Sequence, residues 1–170
     1  MKRSMARRKP TVLIDTNILI SGLVFLKGNE HKILKLAEDK AITLIFPEFV
    51  IDEARMVLAH RFPGREVLLG AFVSRTEHEI LAPEEIMQSV PFAENRVRDA
   101  KDAPVLASVL VAKPDFTITG DLALREDMKN CREATRVTDI CSSSQFLKKM
   151  LKEQRRNVAV LGRKTADPWR

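Results

Sequence analysis

The chain has 170 residues, 45% hydrophobic and 31% charged, the composition of an ordinary soluble globule with length for one domain and a real core. Only 5% is aromatic, with eight Phe, one Trp and no Tyr, which excludes a base-stacking platform of the single-strand-binding kind. The net charge of +6 is uneven: residues 1–9 carry five basic and no acidic side chains and residues 148–170 carry eight basic and two acidic, so residues 10–147 are left at −5.

Basic ends can gather a polyanion or simply aid solubility, while an acidic body can hold cations. The first apolar run, "TVLIDTNILISGL", is interrupted by Asp15, Thr16 and Asn17. Following the basic N-terminus, a run broken in this way does not have the pattern of a cleavable signal. Residues 11–14 read as a short buried strand and residues 17–25 as a helix. Asp15 between them either caps that helix or forms one wall of a site, since an unpaired buried carboxylate is costly.

After the turn Lys27-Gly28-Asn29, residues 30–38 read as a helix with Ile33, Leu34 and Ala37 on one face. Residues 41–46 form a second strand, and Pro47 starts a helix reaching about His60. In that helix Val50, Ala54, Val57 and Leu58 make the apolar stripe, and Glu53 falls inside it, either functional or at an edge beside an arginine. Residues 65–76 form a further helix, residues 79–82 a brief strand, and Pro83-Glu84-Glu85 opens another helix with negative charge against its dipole.

Asp102 heads "DAPVLASVLVA", with Pro104 in the first turn of a helix over residues 105–113, and Asp99 stands three residues earlier. Capping explains either, so one of the two is expected to be structural. Residues 116–119 form the third clear strand, with Asp121 directly after it in "FTITGD". Residues 134–137 are expected as a fourth strand, residues 142–152 as the last helix, and residues 153–170 as a loose tail. Strands alternating with helices predict an α/β fold with a mainly parallel sheet. Cys131 and Cys141 have no CxxC neighbour or clustered His, which argues against zinc and for two small buried hydrophobes in a reducing cytoplasm. The apolar runs, such as residues 105–112, are shorter than the roughly 20 residues a membrane helix needs.

Asp15 and Asp121 both follow strands, and ligands of open α/β sheets bind beyond the carboxyl ends of strands. With Glu53 and Asp102 they make four acids able to converge, a cluster that repels itself and raises carboxyl pKa values unless cations neutralise it. Magnesium and manganese, hard cations that prefer oxygen, suit such donors. "VLIDTNILISGL", "PEFVIDEARMVL", "DAPVLASVL", "TITGDLAL" and "TRVTDICSSSQFLKKM" occur in the order found in the PIN-domain ribonucleases, which the chain resembles from Val12 to about Met150. The resemblance implies a three-layer α/β/α domain over residues 10–150, flanked by a basic arm, residues 1–9, and a basic tail, residues 151–170.

It further implies that Asp15, Glu53, Asp102 and Asp121 hold Mg2+ or Mn2+, that Asn17 orients Asp15 by hydrogen bonding, and that Thr119 supports Asp121, with Asp99 outside the site. Many members carry another acid shortly after the last aspartate; here Leu122, Ala123 and Leu124 follow, and the next acid is Glu126. The function implied is a cytoplasmic, metal-dependent endoribonuclease, homodimeric and the VapC-like toxin of a toxin–antitoxin pair, with RNA as substrate and an antitoxin protein as partner. Two alternatives stand beside it. One is a non-catalytic RNA-binding or protein-interaction module on the same fold. The other is a phosphotransferase with Asp15 as nucleophile, which requires a second Asp where Asn17 stands.

Overall fold

The structure, a computed structural model, describes residues 8–164, with side chains to Asn157. Most of the basic arm, residues 1–7, and the last six residues of the tail lie outside the described residues. Five strands form one sheet: β1 (Thr11–Ile14), β2 (Thr43–Pro47), β3 (His78–Leu81), β4 (Phe116–Ile118) and β5 (Asp139–Cys141). All pairings are parallel, in the order β3-β2-β1-β4-β5.

Alternating strand residues feed two cores. Val12, Ile14, Leu44, Phe46 and Ile118 face α1 (Thr16–Val24), α2 (Asn29–Glu38), α3 (Glu48–Arg61), α4 (Glu66–Arg75) and α10 (Ser143–Lys164). Leu13, Ile45 and Ile140 face α5 (Pro83–Ile86), α6 (Val90–Glu94), α7 (Ala103–Ala112), α8 (Leu122–Asn130) and α9 (Arg132–Thr135). Burial on both faces is why β1 and β2 read as continuous apolar runs rather than alternating ones. The expected α/β/α layering is what the chain adopts. Where α1 meets α2, a Cβ on Gly22 would stand 2.6 Å from the Leu34 side chain, so only glycine allows the two helices so close.

Two expectations fail locally. Residues 134–137 are not a strand: Ala134 lies in the helical turn α9, fully buried in the second core, and β5 begins two residues later at Asp139. Packing overrides the β-propensity of Thr135 and Val137 there. The last helix does not stop at residue 152 but runs to Lys164. Residues 153–161 contain no glycine or proline, and Glu, Gln and Arg are good helix formers; even Gly162 does not end it. Cys131 and Cys141 are both buried as expected, and burial pushes the Cys141 thiol up to about 11. Among the described residues no helix is long and apolar enough to cross a membrane.

Candidate functional site

The strand order reverses at β1, with β2 on one side and β4 on the other, so the topological switch point lies between β1 and β4. Ile14 pairs with Ile118, and the chain leaves both strands toward the same edge of the sheet. Asp15 follows one strand and Asp121 the other.

Asp15 is buried and caps α1: its Oδ1 accepts the Ile18 N–H at 2.9 Å. Its Oδ2 accepts the hydroxyl of Thr119 at 2.5 Å. Thr119 Oγ1 in turn accepts the Asp121 N–H at 3.0 Å, and Asp121 caps α8 by accepting the Leu124 N–H at 3.0 Å. One fully buried hydroxyl therefore links the two strand-end acids. Both acids are helix caps and both face the switch point; capping and site formation are not alternatives here.

Asp102 stands at the start of α7 but its side chain makes no capping hydrogen bond. Asp99 does that work, accepting the Lys101 N–H at 3.0 Å to cap a 3-10 turn over Ala100–Asp102. The carboxylate of Asp102 is thereby left uncommitted and half-buried. Burial raises its pKa above the ordinary aspartate value, with Asp121, Asp99, Asp127 and Asp15 adding to the rise. Burial also raises Asp15; the bonds from Thr119, Ile18 and Gly120 oppose that rise, and Asp121 adds to it.

Glu53 departs from its expected position. Val50, Ala54 and Leu58 are buried, but Glu53 is exposed at the margin of their stripe. Its Oε2 accepts the Thr16 hydroxyl at 2.5 Å, and among the described residues no arginine pairs with it; Arg55 pairs with Asp52 instead. Glu53 thus reaches the residue next to Asp15. Asn17 needs correction as well: it is exposed and makes no side-chain hydrogen bond to Asp15, and the orientation of Asp15 among the described residues comes from Ile18, Gly120 and Thr119. It stands at the second position of α1, on the exposed side of the helix. Glu126 pairs with Arg98 at 3.0 Å.

Sequence reasoning missed Thr16, Arg98 and Asp127. Asp127 is buried next to Met128 in α8, a helix that the sequence pattern does not predict. Asp15 and Asp127 are the only buried carboxylates among the described residues. Asp127 has Arg98 as its ion-pair partner; Asp15, Asp102, Asp121 and Glu53 have none among the described residues.

The donor set is all hard oxygen, with like charges crowded and no protein cation paired to them, which fits a divalent cation held by one or two carboxylates and otherwise by water. No group of three or more His, Cys, Asp or Glu among the described residues is spaced to enclose an ion. A cleft of about 580 Å³ opens at the opposite end of the sheet, between Pro10, Lys40, Asp115 and Asp139, away from these acids.

The PIN domain family profile matches residues 11–123. No curated protein matches the chain in sequence. Among solved structures, VapBC2 from Rickettsia felis, in a crystal structure described as bound to a DNA fragment from their promoter, aligns with a TM-score of 0.59 at 13% identity, covering 77% of this chain and 98% of that one. At that identity the likeness is one of fold.

Proposed function

The chain belongs to the PIN-domain family, and from that premise we propose that it is a divalent-metal-dependent endoribonuclease, the toxin half of a cytoplasmic toxin–antitoxin pair. The observation that carries this reading is the placement of Asp15 and Asp121 at the β1/β4 switch point, bridged by the Thr119 hydroxyl and without an ion-pair partner among the described residues. Such a cluster is stable with a cation and strained without one. In this reading Asp15, Asp102 and Asp121 would hold Mg2+ or Mn2+, one or two of them directly and the rest through water, with Glu53 at the rim. Such an ion would supply charge neutralisation at the phosphodiester and a more acidic bound water.

The protein's own part is positioning. Thr119 and Ile18 orient the two oxygens of Asp15, and Asp99 takes the capping duty that would otherwise consume Asp102. Thr16 draws Glu53 toward the same edge. The basic ends guide RNA or contact an antitoxin; the likeness to the solved VapBC2 structure supports a protein partner.

One observation favours the non-catalytic module instead: the acids do not stand at enclosing spacing. A mixed RNA pool incubated with Mn2+, with a chelator control, separates the two. Cleavage that needs Mn2+ and disappears in Asp102→Asn supports the nuclease; an intact pool at every Mn2+ concentration refutes it in favour of the binding module.

A further inference from the structure

The described charges around the site contain one arrangement that the reading above does not use. Arg98 and Asp127 make a two-point clasp: the Arg98 main-chain N–H donates to Asp127 Oδ2 at 2.8 Å and its Nε–H to Asp127 Oδ1 at 2.7 Å. The Arg98 Nη2 also donates to the Ala123 carbonyl at 2.9 Å and to Glu126 at 3.0 Å. Ala123, Glu126 and Asp127 are spaced i, i+3, i+4, so one guanidinium grips the first two turns of α8 along a single face. The carboxylate it holds is buried, and both its oxygens are engaged. A surface ion pair contributes little, but a guanidinium spread over a buried carboxylate, a helix carbonyl and a second carboxylate, with the main-chain N–H of the same residue on that buried carboxylate, defines a geometry.

What lies on either side of the clasp gives it a role. Asp121 caps α8 at the end that Arg98 grips. On the other strand of the clasp, Arg98 is followed by the tight turn in which the Lys101 N–H bonds Asp99 Oδ1 and the Asp102 N–H bonds the Asp99 carbonyl at 2.9 Å. The clasp therefore ties the segment leading into the 3-10 turn that carries Asp102 to the helix that Asp121 caps. We propose that the Arg98–Asp127 clasp is a positioning device that sets Asp102 against Asp121 and so tunes the affinity of the acid cluster for a divalent cation. The proposal rests on the metal-site reading of these acids.

Geometry and plain electrostatics predict opposite outcomes here. Removing the Arg98 cation lowers positive potential near the acids, which by charge alone tightens Mn2+ binding. Loss of positioning weakens it, by about tenfold where outer residues orient metal-holding ones. Both variants keep the main-chain bond to Asp127; Arg98→Met keeps the aliphatic stem without the Nε and Nη2 bonds, and Arg98→Lys keeps the charge without their planar geometry, a change that is not conservative where a guanidinium reaches several acceptors at once.

The test is Mn2+ binding to the full chain, followed by the electron paramagnetic resonance signal of free Mn2+, below the melting temperature of each variant. The expected result is a midpoint raised about tenfold in both variants, with RNA cleavage restored toward wild type at saturating Mn2+. A purely structural pair lowers the melting temperature and leaves the Mn2+ midpoint unmoved, which overturns the proposal, as does tighter binding in Arg98→Met. Should Arg98→Met fail to fold, Arg98→Lys alone decides between these outcomes. A wild-type chain that binds no Mn2+ overturns the metal-site reading itself; a wild type that binds, with variants that bind equally well, overturns only the clasp.

Discussion

Replacing Thr119 by valine removes one hydroxyl from a fully buried position and leaves its shape almost unchanged. Two bonds are lost. The first is the donation to the Asp15 carboxylate, and a hydrogen bond to a charged group contributes about 1.5–3 kcal/mol. The second is the acceptor for the Asp121 N–H, which is only partly buried, so its loss costs the lower end of the range for an unpaired donor, about 1 kcal/mol. With Asp15 ionised and no metal bound, the two together make an expected destabilisation of about 3 kcal/mol, or roughly 6–12 °C in Tm for a domain of this size.

The pH dependence separates the two contributions. The Thr119 bond lowers the pKa of Asp15 against the upward pull of burial, so the variant's Asp15 titrates higher still. The Asp15 part of the penalty is present above the variant's folded-state pKa and is lost as pH falls between the two folded-state values, both above the ordinary 3.8. Urea unfolding of both proteins from pH 7 down toward 4, in chelator, measures it. Thr119→Ser, which restores the hydroxyl, should recover most of the loss. A penalty under about 1 kcal/mol at pH 7, or one that stays constant with pH, refutes the idea that this hydroxyl holds an ionised Asp15.

Asp15→Asn tests the same acid from the other side. Because burial raises its folded-state pKa, its ionisation opposes folding, so the unfolding free energy of the variant should gain on that of wild type as pH rises from the ordinary aspartate value through the raised one; a gap that narrows over that range in chelator contradicts the assignment. Asp99→Asn should melt within about 0.5 kcal/mol of wild type, because asparagine caps as well as aspartate, and should keep most RNA cleavage. Asp102→Asn should abolish cleavage, and the reverse ranking in a gel assay moves the site to Asp99.

Some of this molecule is legible without any tertiary information. Strands buried on both faces read as unbroken apolar runs, so β1 and β2 were plain, and an acid placed directly after a strand points to the strand's carboxyl end wherever the sheet is assembled. Asp15 and Asp121 were found that way. The strand order was not so legible: β4 lies beside β1 although 101 residues separate Ile14 from the start of Phe116, and only that pairing turns two strand-end acids into neighbours bridged by Thr119. Local pattern also leaves Asp102 and Asp99 equivalent, since both suit a cap; the turn that gives the cap to Asp99 and frees Asp102 is a choice of backbone path. Glu53 was placed correctly along its helix but on the wrong side of the stripe's edge, because a 3.6-residue period locates a face only to within about one side chain. Arg98 and Asp127 left no local trace at all. Their clasp joins a loop to a helix 29 residues further on, and the burial that marks it is created only when α7 and α8 pack on the same face of the sheet.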